Sequence, residues 1–209
     1  MSSHHRLLDS VVEAPAALEA IGADTAAIGF GMASEAKTGE LLKTLAASKP
    51  GGRFLELGTG TGIGTAWLLA GMDAASRLVS VDNDQQAQDI ARRYLAGDAR
   101  VTFHLHDAAE FLKTLGSEAF DLIYADTWAG KFTHLDAALA LLRVGGFYIV
   151  DDLLPQSNWP EDHPPKVVSL IDALAAKTGF AAVKLAWASG LLILVRTAAA
   201  PILPRSLAK

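Results

Sequence analysis

Between residues 53 and 150 the chain repeats one pattern: a short apolar run, a polar or glycine-rich break, then a segment with helical spacing. Runs at 53–57, 78–82, 101–105, 120–125 and 146–150 read as strands, and 63–72, 85–96, 108–115 and 132–142 as the helices between them. Parallel neighbours need a crossover of a dozen or so residues, right-handed in nearly all cases, and these intervals supply one, so a doubly wound parallel sheet follows. After a further helix at 166–177 the pattern breaks. The runs 180–187 and 191–197 are separated only by Ala188, Ser189 and Gly190, which leaves no room for a crossover, so they form an antiparallel hairpin. The expected fold is therefore α/β: a doubly wound seven-stranded sheet, five parallel strands plus a C-terminal antiparallel hairpin, with helices on both faces.

Upstream, residues 7–21 have the spacing of an amphipathic helix, Gly29 and Gly31 mark a break, and 34–47 reads as a second helix. Ser34 is its candidate N-cap and Lys49-Pro50-Gly51-Gly52 its stop. The length of 209 residues suits one domain, with 1–50 as a helical cover, 51–197 as the core and 198–209 as a tail. Lys and Arg number 18 against 23 Asp and Glu, and no basic cluster occurs. A nucleic-acid partner is therefore not expected, since phosphate affinity rests on clustered cations. The chain has no cysteine, which excludes disulfides, thiolate metal sites and cysteine nucleophiles. Neither a secretory leader nor a membrane-spanning apolar run is evident, so a cytoplasmic protein is expected.

The first strand ends in Glu56-Leu57 and runs into Gly58-Thr59-Gly60-Thr61-Gly62-Ile63-Gly64. A glycine loop between strand and helix lets backbone N–H groups approach a ligand, and it also occurs as a plain tight turn. The dinucleotide fingerprint G-x-G-x-x-G fails in both registers, because the last position is Ile63 or Thr65.

An acid, an apolar residue and then G-x-G-x-G resembles motif I of the class I S-adenosylmethionine-dependent methyltransferases. The resemblance implies a Rossmann-like sheet and S-adenosylmethionine as cofactor. It puts the amino-acid part of the cofactor at Glu56, Gly58, Gly60 and Gly64, the ribose at Asp82 after the second strand, and the adenine at Asp107 and Ala108 after the third. Asp107 is equally a candidate N-cap. A carboxylate at position 56 suits a ligand carrying an ammonium and a sulfonium and would repel a pyrophosphate.

Residues 120–128 and 146–152, with Gly31-Met32-Ala33-Ser34 and Gly39 upstream, further resemble the small catechol and caffeoyl-CoA type O-methyltransferases. That likeness adds Ser34 and Asp126 to the cofactor site. It also implies a divalent metal, usually Mg²⁺, held by Asp126, Asp151 and Asp152, and a phenol or catechol-like small-molecule acceptor. The chain departs from the pattern at Asp152, where the family has Asn, and at Ala129, where the family has the lysine that takes the acceptor proton. Asp126 with a metal, then Lys131, then His134 are the candidates for that role. Lys131 reaches the same space from a loop and points elsewhere from the first turn of a helix. His134 reads equally as a solvent-facing residue. Trp128, Trp159 and His163 fall in loops at the same edge, with residues 155–160 as a candidate lid. The N-terminal fifty residues cover the cofactor or build a homodimer interface. A cofactor-binding protein without chemistry, or a metal-independent methyltransferase, is the alternative.

Overall fold

The computed structural model describes residues 13–117, 119–157 and 159–198. In chain order the elements are α1 (Leu18–Ala27), α2 (Ala36–Ala47), β1 (Arg53–Leu57), α3 (Ile63–Gly71), β2 (Arg77–Asp82), α4 (Gln85–Leu95), β3 (Val101–Leu105), α5 (Ala108–Thr114), β4 (Phe120–Ala125), α6 (Leu135–Ala140), β5 (Leu142–Val150), α7 (His163–Ala175), β6 (Phe180–Leu185) and β7 (Leu191–Arg196). They build one seven-stranded sheet of order β3-β2-β1-β4-β5-β7-β6. β1 to β5 pair in parallel, and β7 is antiparallel to both β5 and β6. The expected sheet and its hairpin are present.

Two apolar layers cover the sheet. On one face Leu55, Leu57, Ile123, Ala125, Tyr148 and Val150 pack under α5, α6 and α7. On the other, Phe54, Leu78, Leu122, Tyr124 and Ile149 pack under α1, α2, α3 and α4. Because side chains alternate along a strand, Glu56, Ser80 and Tyr124 lie on this second face, and the β1 register pairs Glu56 with both of the others. Gly39 brings α2 against α3: a Cβ there would fall 2.1 Å from the Trp67 ring. Among the described residues no helix is long and apolar enough to cross a membrane.

Several boundaries differ from those read in the sequence. The first helix runs over Leu18–Ala27 instead of 7–21, and residues 7–12 of the expected span, like 199–209 of the tail, lie outside the described residues. The second helix has Glu35, not Ser34, at its N-cap, and no side chain caps it. Ser34 turns its hydroxyl toward the sheet edge instead. The helix expected at 132–142 is only Leu135–Ala140, and β5 begins early, at Leu142. The β4–β5 register jumps from Phe120↔Leu142 to Leu122↔Phe147, so residues 143–146 bulge, with Gly145 at φ 79°. The last helix starts earlier, at His163, because prolines are tolerated in a first turn, where their missing N–H has no partner to lose.

Candidate functional site

A cleft of about 700 Å³ opens at the carboxyl ends of the parallel strands, between the glycine loop, the chain before α2, and the loops after β4 and β5. This is where an open α/β sheet offers its ligand site, since the strand order reverses between β1 and β4. A second cavity of about 620 Å³ lies beside the start of β5, next to Leu112, Leu141, Arg143 and Arg196, and among the described residues no carboxylate lines it.

The glycine loop owes its path to close approach. Gly58 has φ 101°, and a Cβ on it would lie 2.6 Å from the Asp126 carbonyl oxygen, so β1 and β4 touch here through backbone. The Gly60 N–H donates to Asp82 Oδ2 at 2.7 Å, and the Asp84 N–H donates to Asp82 Oδ1 at 2.8 Å. Asp82 is thus fixed at the cleft wall with lone pairs to spare. From above, Thr25 on α1 donates to the Thr61 hydroxyl at 2.8 Å, and Arg93 and Tyr94 of α4 hold Asp24 at 2.5 and 2.9 Å. The N-terminal helix therefore clamps the loop.

Glu56 is not part of the cleft wall. It is fully buried beneath the loop, where Thr65 and Ser80 donate to its Oε2, the latter at 2.5 Å, and Ser80 in turn bonds Thr59 at 2.6 Å. Its Oε1 has no hydrogen-bond partner and faces Gly64, whose added Cβ would lie 2.7 Å away. Burial without full compensation pushes the Glu56 carboxyl up to about 8, against the lowering effect of the two hydroxyls. In place of the expected direct contact with a cationic ligand, Glu56 is a buried acid under the loop.

At the other end Ser34, Asp126, Lys131 and Asp152 come together on the wall. Tyr124, two residues before Asp126 and on the same side of β4, is fully buried and donates to Asp151 Oδ2 at 2.9 Å. Its hydroxyl lies 3.2 Å from Asp126 Oδ2 and 3.1 Å from Ser34 Oγ, and Ser34 donates to Asp126 at 3.2 Å. Burial raises the Asp126 carboxyl well above the usual range, while the Lys131 ammonium pulls it back. Burial likewise raises Asp152 and Tyr124.

The three aspartates do not converge as metal ligands. Asp151 is 1% exposed, and its carboxylate is taken up by Tyr124, by the Ser189 hydroxyl on Oδ1, and by the Asp152 N–H at 2.7 Å. Asp152, with φ 61°, turns away from it to the cleft. The space between them holds the Lys131 ammonium, 3.0 Å from the Asp151 carbonyl, 3.4 Å from Asp126 Oδ1 and 4.0 Å from Asp152 Oδ2. Among the described residues no group of three or more His, Asp or Glu is arranged to hold a metal ion. The residues present do not fit that group.

Lys131 reaches this position because α6 starts three residues later than the expected helix, leaving it in a tight loop. The N–H groups of Lys131, Phe132 and Thr133 all donate to the Trp128 carbonyl, and Tyr148 donates to the Gly130 carbonyl at 2.6 Å. His134 stands exposed with φ 54° at the start of α6 and does not line the cleft. Asp107 is also outside the wall, where it caps α5 by accepting from the Glu110 N–H at 3.0 Å, with Ala108 buried beside it.

The rest of the acceptor end is aromatic. His163 packs against Trp159, Phe132 and Trp128 with ring centroids 4.6, 5.2 and 5.7 Å apart, and all four line the cleft. The His163 Nδ1 is buried without a partner. The sequence pattern puts His163 in a loop at this edge without a role, and it does not single out Tyr124 or Ser189. Of the latter two, Tyr124 has a signal, since residues two apart along a strand share a face.

A methyltransferase-domain profile matches residues 55–153. The catechol O-methyltransferase of Mycobacterium tuberculosis is 32% identical over 153 residues, which cover 70% of this chain and 70% of that protein. A protein of Mycolicibacterium vanbaalenii assigned as an O-methyltransferase is 33% identical over 59% of this chain, and the match spans 56% of its length, little more than half. Among solved structures, the O-methyltransferase TomG of Streptomyces achromogenes, in complex with SAM, superposes with a TM-score of 0.78 at 23% identity, covering 95% of this chain and all of that one. An O-methyltransferase of Bacillus cereus in complex with SAH gives 0.76 at 22% identity, covering 91% and 96%. Sheet order and cleft position, together with the kinship to the mycobacterial enzyme, establish that the chain belongs to the class I S-adenosylmethionine-dependent O-methyltransferase family.

Proposed function

We propose that the chain binds S-adenosylmethionine along the glycine loop and transfers its methyl group to an oxygen of a small aromatic acceptor. The observation that carries this reading is the polarity of the cleft: a ribose-ready carboxylate, Asp82, at one end, an aromatic enclosure at the other, and Ser34, Asp126 and Lys131 between them. The bound TomG and B. cereus structures support the cofactor assignment.

In this reading Asp82 accepts from the ribose hydroxyls, and the N–H groups of the loop from Gly58 to Gly64 take the carboxylate of the amino-acid part. Ser34 and Asp126 take its ammonium, and Glu56 adds negative potential from beneath as the pH rises toward 8. Trp128, Phe132, Trp159 and His163 hold the acceptor ring edge-on to the methyl group. The acceptor O–H bond breaks, its electron pair forms the O–CH₃ bond, and the C–S bond breaks with its pair on sulfur, leaving the neutral thioether. The proton passes to Asp152 at the cleft wall and from there to solvent. Since the reaction is an in-line displacement, alignment of oxygen, carbon and sulfur supplies most of the acceleration.

Calorimetry with S-adenosylmethionine, paired with detection of the methylated acceptor and S-adenosylhomocysteine across a panel of phenols, tests this. Binding with product supports it. Heat without product on any acceptor leaves a cofactor-binding protein, and absence of binding refutes the reading.

A further inference from the structure

We propose that the Lys131 ammonium is itself the cation of the acceptor site, holding the single reacting oxygen of a monohydroxylated aromatic acceptor with no divalent metal. The inference rests on the methyl-transfer reading above and adds the acceptor class to it.

The ammonium is fixed, not a mobile surface charge. Lys131 is 6% exposed yet lines the cleft, and its loop is locked by the Trp128 carbonyl, by Gly130 N–H to the Thr133 carbonyl at 2.7 Å, and by Tyr148 on the Gly130 carbonyl. Of its three N–H groups, two are taken by the Asp151 carbonyl and Asp126 Oδ1. Asp152 Oδ2, at 4.0 Å, is beyond hydrogen-bond reach, so one N–H remains for a ligand oxygen.

A divalent ion here would have to displace this ammonium from Asp126 and the Asp151 carbonyl and pull the Asp151 carboxylate off Tyr124, Ser189 and the Asp152 N–H. The chemical difference falls on the acceptor. An ion with several open positions grips two adjacent hydroxyls, whereas one N–H grips one oxygen. A second, vicinal hydroxyl therefore brings no advantage at this site. The ammonium favours the charged form of an oxygen it touches, so it stabilises the phenolate that attacks the methyl carbon.

The test uses the full chain with bound S-adenosylmethionine and a matched pair of probes, para-nitrophenol and the corresponding nitrocatechol, with and without EDTA and added Mg²⁺. Electron paramagnetic resonance of Mn²⁺ provides a reading independent of turnover. Expected are kcat/KM values for the two probes within about threefold, no response to EDTA or Mg²⁺, and a spectrum of free Mn²⁺. Lys131→Met should lower kcat/KM for para-nitrophenol by roughly tenfold to hundredfold, the cost of a charge-assisted hydrogen bond, with partial retention in Lys131→Arg. An unchanged far-ultraviolet circular dichroism spectrum and a cooperative thermal transition show that the variant is folded. Loss of activity in EDTA restored by Mg²⁺, stoichiometric Mn²⁺ binding, a strong preference for nitrocatechol, or wild-type kcat/KM in Lys131→Met overturns the proposal. So does absence of turnover of both probes by protein that binds the cofactor. Failure of the parent chain to bind S-adenosylmethionine at all is the distinct result that overturns the methyl-transfer reading beneath it.

Discussion

Glu56 should make the protein lose stability as the pH rises, and Glu56→Gln should remove that loss. The carboxyl sits at about 8 in the folded chain against 4.5 ordinarily, mainly because burial penalises its charge. The folded state therefore keeps a proton that the unfolded chain gives up. The stabilising contribution of that proton is fully present below pH 4.5 and disappears as the pH rises through 8. At about 1.4 kcal/mol per pH unit, the whole shift corresponds to about 5 kcal/mol, and the part lost between about pH 6 and pH 9 to about 3 kcal/mol. Against typical domain stabilities of roughly 5–15 kcal/mol, that is easily resolved. Asp126 and Asp152 are shifted the same way and add loss of the same sign, so the comparison is between parent and variant, not between two pH values alone. Glutamine still offers one acceptor oxygen to Thr65 and Ser80, and any fixed cost of its buried amide is the same at each pH. Urea denaturation across this range should show the parent falling by about 3 kcal/mol more than Glu56→Gln. Equal slopes for the two proteins would show that Glu56 is ionised throughout, and would refute the assignment of a buried, proton-holding acid under the loop.

The remaining predictions concern the cofactor, the acceptor wall and the helix pair. Asp82→Asn removes the charge that would receive the ribose hydroxyls and should weaken S-adenosylmethionine binding by roughly tenfold to hundredfold in calorimetry, with some loss of thermal stability because the N–H of Gly60 or of Asp84 loses its acceptor. Because Glu56 and Asp126 both gain charge as the pH rises, affinity for the cationic cofactor should increase from about pH 6 to pH 8.5, and a flat profile would contradict the electrostatic role given to them. Trp159→Ala opens the aromatic wall at His163 and should change the ranking of acceptors while leaving cofactor affinity alone. An unchanged ranking sinks that role. Gly39→Ala drives a methyl group into the Trp67 ring and should cost about 3 kcal/mol or more in urea denaturation, or prevent folding.

The strands were legible because their alternation and length are local properties, and β3 and β4 fall where the apolar runs put them. The place of each hairpin strand in the sheet was not read, although a cue was present: β7, Leu-Leu-Ile-Leu-Val, is apolar throughout and lies inside the sheet, while β6 carries Lys184 and leaves 181–184 exposed at the edge. The site residues divide along similar lines. Asp82 and Asp126 stand at the cleft because each ends or follows a strand on the α2–α3 face. Adjacent Asp151 and Asp152 point different ways, and which one is captured by Tyr124 and Ser189 depends on a turn 38 residues further on. The direction of Lys131 hinged on where α6 begins, a boundary set by backbone bonds to Trp128 that no side-chain pattern announces.

A crystal structure of the chain with S-adenosylhomocysteine tests the central claim most directly. The ribose should lie on Asp82, the amino-acid part on the glycine loop near Ser34 and Asp126, and the sulfur should face the enclosure formed by Trp128, Phe132, Trp159 and His163, with the Lys131 ammonium beside the open acceptor position. Density for the ligand outside this cleft, or in the cleft with its sulfur turned away from Lys131 and the aromatic wall, would contradict it.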